Sequence, residues 1–302
     1  MKKKAIIISL KGRTLSKKEK MLLLKERPWG VILFKRNIYS LKQTQRLILQ
    51  IKKYSKSKNF PILIDEEGST VSRLKNIFNH HLNANYFGKV FEKNKKSAIF
   101  IYKNYLKSLC NLLKIIGVNT NTIPVLDVLR KNTSKIIGSR SFSHNKEIVK
   151  TLGDITVREC QKHKIISVIK HIPGHGCATQ DSHIFLPKVN LSEKNLNLKD
   201  FFPFKSNSAK LAMTAHILFS KIDNKNVSTF SKKIINQIIR KKIGFKGILM
   251  SDDISMKALK YDLVTNAKKA LEAGCNLVLY CEGKIKDNLK LIKSVPYIDK
   301  FT

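Results

Sequence analysis

The chain has 302 residues, 42% of them hydrophobic and only seven of them proline, and it carries 59 lysines and arginines against 21 aspartates and glutamates, a formal net charge of +38. That length and apolar share exclude a disordered chain and suffice for one large core. Five scattered cysteines (Cys110, Cys160, Cys177, Cys275, Cys281) exclude a disulfide framework and a zinc ribbon, and they point to a reducing, cytoplasmic setting. A charge of this size raises the question of nucleic acid. The lysines, however, are spread over almost every helical stretch, with no aromatic-interleaved motif and no basic tail, so they read as a solvated surface rather than a specific nucleic-acid footprint. The start, MKKKAIIISLKG, is basic, but its apolar run over residues 5–10 is shorter than a signal-peptide core, and it reads as a first strand. No stretch approaches the length of a membrane span.

Short β-branched runs recur at residues 5–9, 30–34, 61–65, 118–123, 165–170, 211–215, 247–251 and 276–280, with helical periodicity between them. Ser16 stands as an N-cap before KKEKMLLLKE, and Ser40 before LKQTQRLILQIKKY, where Leu41, Thr44, Leu47, Ile48, Ile51 and Tyr54 share a face. Residues 76–94, with the pair His80 and His81, are the least periodic and read as a long loop. Further on, Ile99, Tyr102, Leu106, Leu109, Leu113 and Ile116 form one stripe. Ile234, Ile235, Ile238 and Ile239 form another, stopped near Gly244. No linker divides the chain. Eight βα units predict a single α/β domain over 1–302, a (β/α)₈ TIM barrel with its chemistry at the C-terminal ends of the strands; a monomer is the expectation for its assembly, although nothing in the pattern specifies it.

The residues at the C-terminal end of each run test that expectation. The second run leads into Lys35-Arg36-Asn37, the third ends in Asp65-Glu66-Glu67-Gly68, and the fourth leads into Pro124 and Asp127. The fifth ends in Lys170-His171, the sixth leads into His216, the seventh ends in Ser251-Asp252-Asp253, and the eighth in Tyr280-Cys281-Glu282. Polar and charged groups converge on one rim. The richest stretch is KHIPGHGCATQDSH, residues 170–183. Lys170 beside a strand end is hard to bury without a partner, which favours a polyhydroxyl or anionic ligand. Asp181 and His183 are spaced so that the carboxylate can orient the imidazole, the logic of acid–base catalysis. His171, His175, Asp181 and His183 together read either as metal ligands or as acid, base and substrate contacts. Pro173 and two glycines remove the helical spacing of a zincin, which leaves only a loop-built metal site as the alternative. Asp252, nearest the strand end, is the candidate reacting carboxylate, and Asp253 is the candidate for capping a helix that starts near Ser255 or for structural support.

KHIPGHG with DSH after it, SDDISM, IDEEG and IGSRSF together closely resemble the family 3 glycoside hydrolases, and among them the single-domain bacterial β-N-acetylglucosaminidases of cell-wall recycling. GVILFKRNI (30–38), NTIPVLDV (121–128), MTAHI (213–217) and ALEAGCNLVL (270–279) extend the resemblance over nearly the whole chain. The resemblance implies a cofactor-free retaining hydrolase with Asp252 as nucleophile and with His183, paired with Asp181, as acid/base in place of the usual second carboxylate. It implies further that Asp65, Arg73, Arg140, Lys170 and His171 hold an N-acetylglucosamine ring. The substrate would be N-acetylglucosaminyl-anhydro-N-acetylmuramic acid or its peptides, with water or phosphate as acceptor. This chain departs from the family pattern at Ser69 and Thr70, where a glycine and an arginine are usual, at Cys177, and at Asn276, where an aspartate is usual. A β-glucosidase or phosphorylase on the same fold, and a catalytically impaired basic binding protein, are the remaining alternatives.

Overall fold

In a computed structural model, which describes residues 2–182 and 185–302, the eight apolar runs form the eight strands of a closed, all-parallel barrel. They are β1 (Lys4–Ser9), β2 (Pro28–Leu33), β3 (Ile62–Ile64), β4 (Thr120–Asn121), β5 (Ile166–Ile172), β6 (Leu211–Thr214), β7 (Ile248–Asp253) and β8 (Leu277–Tyr280). Each strand pairs with its neighbours in sequence, and β1 pairs with β8 to close the ring. Strand alternation then sorts the side chains into two cores. Ala5, Ile7, Ile32, Leu63, Val168, Leu211, Met213, Met250, Leu277 and Leu279 fill the barrel, and Trp29, at the start of β2 and out of step with the alternation, packs with them. Ile6, Ile8, Val31, Leu33, Ile62, Ile64 and Ile169 face outward and meet the apolar sides of the helices. A pair of two-residue parallel strands, Lys188–Val189 with Leu218–Phe219, joins the loops after β5 and β6 and had no signal in the sequence pattern.

The helix signals act as expected at several ends. Ser16 and Glu19 form a reciprocal capping box on α1 (Lys17–Lys25), and Ser40 accepts from Gln43 N at the start of α2 (Leu41–Tyr54), whose Thr44, Leu47, Ile48 and Ile51 are buried. The segment read as a long loop is one only over its first part. Ala84–Lys93 is a helix, α3, capped by Asn83 and packed on α4 (Lys95–Ile116). Its mid-helix glycine, a poor helix former, obscured the pattern. Gly88 is needed there, because a Cβ at that position would lie 1.8 Å from the Phe142 carbonyl oxygen. The isoleucine stripe is a helix too, over Ile234–Lys242, but wound as a π-helix, with Gly244 in the left-handed region at φ +80°. Asp253 is not an N-cap, since no helix starts near Ser255. The next helix runs over Leu263–Ala273 and is capped by Asp262.

Among the described residues no helix is long and apolar enough to cross a membrane. The burial pattern also shows where the charge lies. Of the 59 lysines and arginines, only Lys170 and Arg140 are buried among the described residues, and both lie at the C-terminal rim of the barrel.

Replacing Gly88 with alanine separates propensity from packing. Alanine gains about 1 kcal/mol of intrinsic helix preference, whereas relieving the overlap with Phe142 costs about 2 kcal/mol or more. Urea unfolding should therefore show a destabilised G88A protein, and an unchanged or raised midpoint would contradict the close approach of α3 to residue 142.

Candidate active site

The two buried cations are held by two acids from the end of β3. Lys170 Nζ, on β5, lies 3.1 Å from Asp65 Oδ1 and 2.5 Å from Glu67 Oε1, and donates to Thr122 Oγ1 at 2.8 Å. Arg140 grips Glu67 with two parallel bonds, Nε to Oε2 at 2.7 Å and Nη2 to Oε1 at 3.0 Å. Arg73 Nη2 donates to Asp65 Oδ2 at 3.2 Å, and its guanidinium lies over the Phe34 ring. These distances set the electrostatics. Burial alone would raise the Asp65 carboxyl, but Lys170 and Arg73 outweigh it and hold Asp65 well below the usual carboxylate range. Burial likewise opposes ionisation of Glu67, yet Arg140 and Lys170 bring its pKa down to about 2. Desolvation disfavours the Arg140 charge, and the Glu67 carboxylate more than offsets it.

A second chain of contacts orders the loop after β5. The strand register against β6 shifts between Lys170 and Ile172, and Lys170 and His171, although adjacent, line the same cavity. His171 Nδ1 donates to Asp127 Oδ2 at 2.7 Å, while Asp127 Oδ1 accepts from His175 N at 2.6 Å. Burial works against the Asp127 charge, and His171 keeps its pKa low. His175 Nε2 meets Ser182 Oγ at 3.1 Å, and burial together with the neighbouring His171 pushes its pKa down to about 4. The glycines of the motif are spatial requirements. Gly174, at φ +143°, passes 2.8 Å from the Asp200 carbonyl oxygen measured from a would-be Cβ, and Gly176 passes 1.9 Å from that of Val128. Asp200 is anchored in turn by Arg130, Nη2 to Oδ2 at 2.5 Å.

From β7 comes the third part. Asp252 is half-buried, and Asp253 N donates to its Oδ1 at 2.7 Å, which fixes the rotation of the carboxylate. Asp253 itself accepts from Ser255 N and Oγ and from Cys281 N, so it ties the loop after β7 to the end of β8. Burial pushes the Asp253 pKa up to about 6 against those hydrogen bonds.

Asp65, Arg73, Arg140, Lys170, His171 and Asp252 all line one cavity of about 150 Å³ at the barrel mouth, together with Glu67, His175 and Ser182. Six of the eight residues singled out in the sequence thus come together. Asp181 is half-buried in the loop beside Ser182 and is not among the lining residues. His183 lies outside the described residues. Acid and base groups, donors to hydroxyls and a carboxylate around one small polar cavity suit a monosaccharide ring, whose hydroxyls both give and accept hydrogen bonds. A metal fits His171 poorly. Its Nδ1 is committed to Asp127, and its Nε2 faces Arg140 Nη2 at 3.4 Å, a fixed cation that would repel another.

Comparison with known proteins fits the same arrangement. The family model described as the glycosyl hydrolase family 3 N-terminal domain matches residues 3–298. The chain belongs to glycosyl hydrolase family 3. A family member from Psychromonas ingrahamii named β-hexosaminidase is 30% identical over 97% of this chain and 88% of its own length. NagZ from Neisseria gonorrhoeae, solved in complex with N-trifluoroacetyl-D-glucosamine, superposes with a TM-score of 0.89 at 29% identity, over 99% of this chain and 87% of that one. A family 3 β-N-acetylglucosaminidase from a Paenibacillus species gives 0.88 at 27% identity over 96% of this chain, which spans 56% of that longer protein. The chain is a glycoside hydrolase of the (β/α)₈ type and groups with the family's β-hexosaminidases.

Three residues of this family 3 site were not singled out from the sequence as holding it. Glu67 stood in IDEEG as the third of three consecutive acids at a strand end, and that run was the available signal. Asp127 stood in PVLDV with no periodicity to mark it, and His175 was weighed as a metal ligand or as an acid, base or substrate contact without being given one role. The departures from the family pattern are absorbed locally. Thr70 is exposed and shares a 2.7 Å hydrogen bond with Ser139. Asn276 Oδ1 accepts from Leu249 N and from Arg240 Nη2, both at 2.9 Å, so the amide keeps the acceptor an aspartate would supply. The half-buried Cys177 Sγ lies 3.8 Å from the Gly174 carbonyl oxygen.

The Glu67 carboxyl, depressed in the folded state, stabilises the fold above its unfolded pKa and loses that contribution as pH falls through the folded value. The window therefore runs from 4.5 down to about 2. Glu67→Gln should lower the melting temperature at pH 7 and flatten its fall across that window. Equal melting curves for the two proteins from neutral to acid pH would contradict the buried network.

Proposed function

We propose that the chain works as one barrel domain, a retaining exo-β-N-acetylglucosaminidase that releases N-acetylglucosamine from peptidoglycan-derived N-acetylglucosaminyl-anhydro-N-acetylmuramic acid and its peptides. The observation that carries this reading is the presence of Asp252 in one small cavity with Lys170, His171, Arg140 and Asp65, at the catalytic face of a family 3 barrel. The relatives named β-hexosaminidase and β-N-acetylglucosaminidase support the sugar, and the family resemblance supports the aglycone.

In this mechanism the buried carboxylates and cations bind the ring. Asp65 accepts from hydroxyls, while Arg73, Lys170, Arg140 and His171 supply donors that Asp65, Glu67 and Asp127 hold in place. Asp252 attacks the anomeric carbon and forms a glycosyl ester, as its carboxylate is kept in one rotamer by the Asp253 N–H. His183, oriented by Asp181, gives its proton to the departing glycosidic oxygen. Its neutral imidazole then takes a proton from the acceptor, which attacks the same carbon and frees Asp252. Imidazole in this role avoids the mutual repulsion of two carboxylates near an anionic acceptor. The chain needs no cofactor for these steps, acts as a monomer on a soluble saccharide, and works in the cytoplasm.

A chromogenic N-acetyl-β-glucosaminide should be hydrolysed, the corresponding glucoside should not, and Asp252→Ala should reduce turnover to background. His183→Ala should cost about 10²–10⁴-fold, the span of a general acid–base group. The rate should trace a bell in pH, with one limb from His183. Undiminished activity of D252A, or preference for the plain glucoside, would sink the assignment. Faster release in phosphate buffer with formation of the sugar 1-phosphate would make the enzyme a phosphorylase.

A further inference from the structure

Glu66, unlike its neighbours Asp65 and Glu67, contributes nothing to the cavity wall. It is 1% exposed, and its backbone is clamped on both sides by one side chain of β4: Glu66 N donates to Asn121 Oδ1 at 3.0 Å, and Asn121 Nδ2 donates to the Glu66 carbonyl at 2.9 Å. From this fixed base the carboxylate reaches seven and eight residues ahead. Its Oε2 accepts from Arg73 N at 2.7 Å and from Leu74 N at 3.0 Å. The loop in between turns back on itself through Glu67 N and Gly68 N, which both donate to the Val71 carbonyl. Leu74 is buried beside it, and His80 Nε2 stands 3.7 Å from Glu66 Oε1, closing the carboxylate off from solvent.

The consequence concerns Arg73. Its side chain leaves a backbone held by Glu66, crosses the Phe34 ring and ends on Asp65 at 3.2 Å. Arg73 is the least buried cation of the network, at 27% exposure against 3% for Lys170 and 8% for Arg140. A long side chain with that freedom must be aimed from its backbone. We infer that Glu66 is a positioning residue for the glycosidase reaction: through the Arg73 and Leu74 amides it sets the guanidinium that, with Asp65, receives the sugar. The inference deepens the proposed function and rests on it.

Two properties separate aiming from mere support of the fold. Glutamine keeps an oxygen acceptor for the two amides, so Glu66→Gln retains the geometry, whereas Glu66→Ala leaves two buried N–H groups without a partner. The Glu66→Ala effect must also pass through Arg73.

The experiment is a double-mutant cycle on steady-state hydrolysis of a chromogenic N-acetyl-β-glucosaminide, with E66A, E66Q, R73A and E66A/R73A and with melting temperatures recorded for each. Glu66→Ala should raise KM about ten-fold with a smaller change in kcat, the effect of losing one charge-assisted contact. Arg73→Ala should do the same, the double variant should be no worse than R73A alone, and E66Q should stay within about two-fold of the parent. Additive losses in the double variant, or a fall in kcat with KM unchanged, would overturn the inference. If E66A does not fold, the comparison of E66Q with E66Q/R73A and R73A decides it: E66Q as impaired as R73A while retaining its melting temperature contradicts the inference, and E66Q near the parent with no added loss on R73A supports it. An unmodified protein inactive on this substrate would overturn the proposed function itself, and this inference with it.

Discussion

Everything at the mouth of this barrel depends on two cations being buried together. An isolated ammonium or guanidinium taken out of water costs several kcal/mol after relaxation, so Lys170 and Arg140 can sit where they do only because Asp65 and Glu67 face them at hydrogen-bonding distance. The pairing is mutual. The same contacts that make the cations tolerable hold both carboxyls ionised far below neutrality, so at any physiological pH the site presents fixed charges and fixed donors. Such a site is organised before a sugar arrives, and that preorganisation lets hydrogen bonds favour a transition state rather than reorganise during it.

The rest of the fold supplies the means to bring those groups together. Asp65 and Glu67 leave β3, Lys170 leaves β5, Arg140 comes from the loop after β4, and Asp252 ends β7. A parallel barrel delivers strand ends to one rim, which explains how residues 105 positions apart in the chain meet within 3.1 Å. Glycines 174 and 176 then let the loop after β5 lie directly on the backbones of Asp200 and Val128, drawing His175 and Ser182 over the cavity.

Much of this was legible in the sequence because the signals were strong in kind. β-branched runs at regular intervals specified the eight strands. Their polar endings named Asp65, Lys170, His171 and Asp252, and the family motifs named Arg73 and Arg140. The features that escaped had no local signature. The helix Ala84–Lys93 was hidden by Gly88, whose reason is a contact with residue 142 far along the chain. Of the two roles read for Asp253, capping fails because the next helix begins only at Leu263, whereas structural support holds, since the side chain ties Ser255 to Cys281. Glu67 and Asp127 hold cations and imidazoles that come from other strands, and pairings of that kind are set by tertiary contact rather than by sequence spacing. The basic residues behind the +38 charge escape burial among the described residues in all but two cases, Lys170 and Arg140.

The central claim is a covalent step at Asp252, and the most direct measurement of it is the mass of the intact protein after incubation with a 5-fluoro N-acetylglucosaminyl fluoride, with peptide mapping of the product. The account predicts one added sugar, with the label on the peptide carrying Asp252 and no label on D252A. Continued turnover with no adduct, or an adduct on another carboxylate of the cavity, would contradict it.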